Sequence, residues 1–182
     1  MPVTVRGKDG EERTVELTPM DPSVRLATKE IEDSKLPLYR QKRGSANWYE
    51  LMPASKALYF HYERCANEAN LKVVTLTNDI LKTIDANGVQ RVIVDLRNNG
   101  GGNSGYLLAF IQGLKYRNTA SRPGSVIALI GPGTFSSAQM NAAKLKTDAG
   151  AVLMGEATGQ KPNAYGEVKT FKLPHSQIEV HH

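Results

Sequence analysis

The stretch Arg91-Val-Ile-Val-Asp95-Leu-Arg97-Asn-Asn99-Gly-Gly-Gly-Asn-Ser-Gly105 decides how the rest of the chain is read. Its opening Val-Ile-Val run between two charges reads as a short buried strand, and it empties into three consecutive glycines. On its amino-terminal side, Leu76, Ile80 and Ile84 recur every four residues, with Val73 and Leu81 beside them. That spacing is the apolar stripe of an amphipathic helix, and Asn87-Gly88 supplies its stop. On the other side, Leu107, Leu108, Ile111 and Leu114 make a second helical stripe. Residues 125–130 (SVIALI) form another buried strand, 138–147 a third helix and 151–155 a third short strand. With a short aromatic strand over 58–62, strand and helix alternate four times. The pattern predicts an α/β fold of parallel strands with helical crossovers.

The flanks depart from it. Residues 3–18 alternate β-formers around Asp9-Gly10, a hairpin signal, so 1–20 reads as a β-hairpin and suits the last hairpin of an upstream module. Residues 21–56 carry Pro22, Pro37 and Pro53 among charges without a sustained period, and read as a connector with little regular structure. The core is expected over 57–182, closing with strands at 167–173 and 178–180 joined through Pro174-His175-Ser176.

Composition narrows the function. A chain of 182 residues is one compact domain, or one with an appendage, and 40% hydrophobic with 23% charged residues is ordinary globular usage. No apolar run approaches the ~20 residues of a membrane span, and the polar opening lacks a signal peptide. A lone Cys65 excludes an internal disulfide framework and a cysteine-based zinc cluster, and reads as a tolerated thiol. The net charge of +5 is spread out, without a dense basic tract or interleaved aromatics, so a solvated basic surface is a better reading than nucleic-acid binding.

Gly100, Gly102 and Gly105 satisfy G-x-G-x-x-G, but a dinucleotide site also needs an acid about 20 residues on for the ribose. No Asp or Glu occurs from Leu96 to Thr147. What remains is a glycine run between strand and helix, whose amides can point at negative charge: an oxyanion hole, an anion nest, or simply a tight turn needing positive φ.

A second strand-to-helix loop reads Gly131-Pro-Gly-Thr-Phe-Ser136-Ser137-Ala-Gln139. A serine there can be a nucleophile at a helix N-terminus or an ordinary N-cap. A nucleophile needs a base. His61 and His175 sit in no catalytic motif, whereas Lys161, in Gly-Glu-Ala-Thr-Gly-Gln-Lys-Pro162, leaves the same sheet. A lysine in an apolar pocket can activate a hydroxyl, although most lysines are solvated surface charges.

In order and spacing, VIVDLRNNGGG, GTFSSAQ and GEATGQK resemble the carboxyl-terminal processing (tail-specific) serine peptidases. Asp95, Leu96, Arg97, Asn99, Gly101 and Gly102 match the family's Asp-Leu-Arg-x-Asn-x-Gly-Gly. The likeness spans about Val89 to Gly166 and implies a crotonase-like α/β spiral, with 57–182 as a truncated catalytic core. It places the nucleophile on Ser136 and the general base on Lys161, 25 residues on, with amides of Gly101, Gly102 and Ser137 as the oxyanion hole. It implies a polypeptide substrate, no metal or cofactor, and an extracytoplasmic setting. Gln139 stands in place of the usual Glu, Ala157 of proline and Gln160 of glycine, while Tyr165 falls where several members carry a supporting glutamine. Two other outcomes of the same fold are a non-catalytic protein binding an apolar or acyl ligand, and acyl-CoA chemistry, which uses the oxyanion pair without a Ser-Lys dyad.

Overall fold

The computed structural model describes residues 2–16, 36–41, 44–117, 124–163 and 170–181. The chain divides into two units, Met1–Leu36 and Pro37–His182. In the first, β1 (Pro2–Arg6) pairs antiparallel with β2 (Glu12–Glu16), Val3 opposite Val15. Gly10 closes the turn at φ 82°, and the Asp9 carboxylate accepts the Glu11 amide at 3.1 Å. The expected hairpin therefore forms around Asp9-Gly10.

The second unit is built on a five-stranded sheet. Its strands are β3 (Asn47–Met52), β4 (Ala57–Tyr62), β5 (Arg91–Asp95), β6 (Val126–Ile130) and β7 (Val152–Gly155), in that spatial order. β3 runs antiparallel to β4, and β4 to β7 are mutually parallel. The helices α1 (Val73–Asn87), α2 (Gly105–Lys115) and α3 (Ser137–Ala149) make the three crossovers. α1 ends where Gly88 takes the left-handed conformation at φ 58° and donates to the Ile84 carbonyl, as Asn87-Gly88 predicts.

Alternate residues of the strands, Leu58, Phe60, Tyr62, Val92, Val94, Val126 and Ala128, form one core with the inward faces of all three helices. α3 contributes mainly small side chains, Ala138, Ala142 and Ala149 beside Leu145, so its backbone can lie close to the sheet. Parallel strands in register bring their exit loops to one edge: His61 lies opposite Asp95, Asp95 opposite Leu129, and Leu129 opposite Met154. In open parallel sheets that carboxyl edge is where ligands bind.

The reading of 21–56 as a connector fails at its end. Asn47–Met52 is a sheet strand, with Tyr49 and Leu51 packed on the core. Buried Asn47 stitches it in, donating to the carbonyls of Arg64 and Ala66 and accepting the amides of Glu63 and Arg64. Those partners are 16 to 19 residues away, beyond any local pattern. At the other end, β8 (Thr170–Lys172) pairs with β9 (Glu179–His181) across the 174–176 turn. The expected start of that first strand, 167–169, lies outside the described residues.

Candidate active site

The glycine loop is held from below by Asn99. Its fully buried carboxamide donates to the Tyr62 carbonyl at 2.8 Å and accepts the Gly101 amide at 2.9 Å. Cys65 flanks the loop as a one-residue parallel bridge to Gly102, donating to the Gly101 carbonyl at 3.0 Å and accepting the Asn103 amide at 2.8 Å. Cys65 is thus a buried part of the loop's support through its main chain, while its thiol donates to Asn99 Oδ1 at 3.5 Å. Gly101 and Gly102 sit at φ 109° and 135°, where side chains are strained. A Cβ on Gly102 would lie 2.3 Å from the Cys65 carbonyl oxygen, and one on Gly101 would lie 2.8 Å from Ser136 Cβ. Gly100 has open space around it. Two glycines of the three therefore carry a steric requirement. The Gly101 N–H is taken by Asn99, while the Gly102 N–H has no hydrogen-bond partner among the described residues.

The serine loop is tied to the glycine loop. Thr134 Oγ1 accepts the Gly131 amide at 3.0 Å and donates to the Leu96 carbonyl at 2.8 Å, and the Phe135 amide donates to the Asn99 carbonyl at 3.0 Å. These bonds hold Ser136 at φ 51°, ψ −126°, a sparsely populated conformation that costs about 1–3 kcal/mol outside glycine. Ser136 occupies the N-cap position of α3, yet its hydroxyl makes no capping bond. Among the described residues that hydroxyl has no partner. The neighbouring Ser137 Oγ donates to the Gly102 carbonyl at 2.7 Å, locking the helix start against the glycine loop. Ser136 is thus strained and uncapped, beside a Gly102 amide without a partner among the described residues.

The lysine loop docks on the same edge. The Glu156 amide donates to the Ile130 carbonyl at 3.2 Å and the Gly159 amide to the Thr134 carbonyl at 3.1 Å. A Cβ on Gly159 would lie 2.3 Å from the Pro132 carbonyl oxygen, so only glycine fits there. Gln160 Oε1 then accepts the Ser136 amide at 2.7 Å. Lys161 follows at once, but it is exposed, and among the described residues no hydrogen bond joins it to Ser136. Tyr165 lies outside the described residues. His61 is buried against Trp48, with ring centroids 5.1 Å apart, and its nitrogens face Tyr59 and Glu63. His175 sits exposed in the 174–176 turn.

Sequence reasoning missed the anchor beneath these loops. Asp95, at the end of β5, is buried and receives Arg97 through three hydrogen bonds, 3.0 Å from the backbone amide, 2.9 Å from Nε and 2.6 Å from the terminal nitrogen. The Tyr59 hydroxyl donates to the same carboxylate at 2.5 Å, and the Arg97 guanidinium stacks 4.1 Å over the Tyr39 ring. Burial works against ionisation of Asp95, but the bonds from Arg97 and Tyr59 outweigh it and hold the carboxyl below its ordinary range. Burial first, and Asp95 second, push the Tyr59 hydroxyl well above its usual value. The Asp-Leu-Arg spacing signalled this pair, since a turn at a strand end lets side chains two apart meet. Nothing local signalled Tyr59, 36 residues away.

Fold and site together define an α/β protein with glycine, serine and lysine loops meeting at the carboxyl edge of the sheet's four parallel strands. No family model matches the chain, and no curated protein matches it either. Among solved structures, it is similar to a photosystem II D1 C-terminal processing protease, at 17% identity and TM-score 0.51 over 93% of this chain and 45% of that one. It is equally similar to a lipoprotein from Streptococcus agalactiae, at 16% identity and TM-score 0.51 over 75% of this chain and 57% of that one. The chain thus spans about half the length of these two structures, and the likeness is one of fold. Among the described residues, no helix is long and apolar enough to cross a membrane, and no three His, Cys, Asp or Glu side chains are grouped to hold a metal ion.

Proposed function

We propose that this chain is the catalytic core of a serine endopeptidase of the carboxyl-terminal processing type, with a crotonase-like spiral fold, acting on polypeptides in an extracytoplasmic setting. The observation that carries this is Ser136: a non-glycine residue held at φ 51° with an uncapped hydroxyl, directly against Gly101. Backbone strain of this kind is retained where the surroundings over-determine it and the geometry is useful.

In the proposed reaction Ser136 Oγ attacks the scissile carbonyl as its proton passes to Lys161 Nζ. The resulting oxyanion is held by the amides of Gly102 and Ser137, at the positive end of the α3 dipole. Gly101 belongs to the same hole by shape, its own amide being committed to Asn99. The lysine ammonium then returns the proton to the departing amine, leaving an acyl-serine that water hydrolyses by the reverse path. No metal or cofactor takes part. Because Lys161 is exposed, the bound polypeptide has to exclude water around it before the amine can serve as a base.

The exposure of Lys161 also favours a second reading, a non-catalytic protein of the same fold that binds an apolar or acyl ligand at this edge. Incubation with an unstructured polypeptide separates the two. The peptidase cleaves it and Ser136→Ala does not. Intact polypeptide with the wild-type chain, together with saturable binding of a fatty-acyl probe, selects the binding protein.

A further inference from the structure

Among the described residues, Gln160 is the one side chain of the lysine loop that reaches the backbone of Ser136. Its Oε1 accepts the Ser136 amide at 2.7 Å, and that amide has no place in the hydrogen-bond ladder of α3, which begins one residue later. We infer that Gln160 is a positioning residue: a clasp that holds the Ser136 elbow in its strained conformation and sets Lys161 in register with it.

Two observations and one physical argument support the clasp. The loop beneath it is already fixed, because the Gly159 amide is bonded to the Thr134 carbonyl and Gly159 lies hard against Pro132. The Gln160 main chain is fixed as well, since Thr158 Oγ1 donates to its carbonyl at 2.7 Å. Finally, Ser136 needs restraint: the strain there would relax if its amide were free to rotate away. A glutamine held at both ends, carbonyl to Thr158 and side chain to Ser136, joins the serine and lysine loops. Lys161 inherits that placement because its backbone begins at the Gln160 carbonyl.

The clasp deepens the peptidase proposal and rests on it only for its effect on turnover. Two readouts keep them apart. The first is amide hydrogen exchange at Ser136 by NMR in wild type, Gln160→Ala and Gln160→Glu. Gln160→Ala is expected to speed exchange at Ser136 about tenfold while Leu145, deep in α3, is unchanged; Gln160→Glu, which keeps an acceptor, is expected to restore protection. The second is steady-state hydrolysis of a polypeptide. Gln160→Ala is expected to lower kcat about tenfold with KM within about twofold of wild type, and Gln160→Glu to recover most of it. Ser136 exchange unchanged in Gln160→Ala overturns the clasp, as does an unchanged kcat. A chain without turnover whose Ser136 amide still loses protection in Gln160→Ala supports the clasp and sinks the peptidase proposal instead.

Discussion

Three consecutive glycines allow an internally controlled experiment: alanine at Gly100, Gly101 and Gly102 in turn. At Gly102 the new Cβ must occupy φ 135° and sit 2.3 Å from the Cys65 carbonyl oxygen and 2.8 Å from its carbonyl carbon. Backbone strain there costs about 1–3 kcal/mol. The bridge beside it, Cys65 to Gly101 and Asn103 to Cys65, has to open, losing two hydrogen bonds at about 1 kcal/mol each. Together these give about 3–5 kcal/mol, a large share of a typical domain's 5–15 kcal/mol. At this chain length 1 kcal/mol moves Tm by about 2–4 °C, so Gly102→Ala should melt about 6–20 °C below wild type. At Gly101 the obstruction is Ser136 Cβ at 2.8 Å, so the loss falls on the nucleophile as well as on stability. Gly100→Ala meets nothing within 4 Å and should stay within about 0.5 kcal/mol of wild type. Thermal denaturation followed by circular dichroism reads all three. Equal losses at 100 and 102 would refute the steric account of the loop.

Other expectations follow from the same geometry. Ser136→Gly should raise stability by about 1 kcal/mol, because strain of about 1–3 kcal/mol is relieved against a glycine entropy cost of about 0.5–1 kcal/mol; a lower Tm contradicts the strain. Ser136→Ala should abolish polypeptide hydrolysis, whereas Ser137→Ala should lose about 1 kcal/mol of stability with its Gly102 bond and keep most activity; equal activity losses would displace the nucleophile. Asp95 has a depressed folded-state pKa, so its contribution is present above the ordinary carboxyl value of 3.8 and disappears as pH falls through the lower folded value. Asp95→Asn should therefore flatten the acid limb of a Tm-against-pH curve, and an unchanged limb would show that the Arg97–Tyr59 anchor is energetically idle. Asp95→Ala, which leaves the Arg97 charge without its partner, should cost about 3 kcal/mol in urea unfolding.

The parallel core was legible because its signals are local. Four-residue spacing in α1, β-branched runs in β5 and β6, and Asn87-Gly88 each declare an element from neighbours alone. β3 was hidden because Asn47–Met52 owes its place to β4 and to the long-range bonds of Asn47 rather than to any period of its own. At the site, the serine and lysine loops were legible as motifs, and so was the need for glycine in the loop that follows β5. Which glycines are required was not, since Cys65 obstructs Gly102 from 37 residues away in sequence and Ser136 obstructs Gly101 from 35. Gln160 read only as a departure from a family pattern, because a side chain's reach to an amide 24 residues upstream has no signature in the sequence.

The central claim is that Ser136 is activated by Lys161, and the rate at which a peptidyl phosphonate, whose peptide part covers Lys161 as a substrate would, modifies the chain tests it most directly. Intact-mass spectrometry with peptide mapping should show a single adduct on Ser136 in the wild-type chain. The adduct should form at least about 10²-fold more slowly in Lys161→Ala and in Lys161→Arg, whose guanidinium does not give up its proton near neutrality. An adduct on Ser136 that forms at the wild-type rate without Lys161, or no adduct in the wild-type chain, would contradict it.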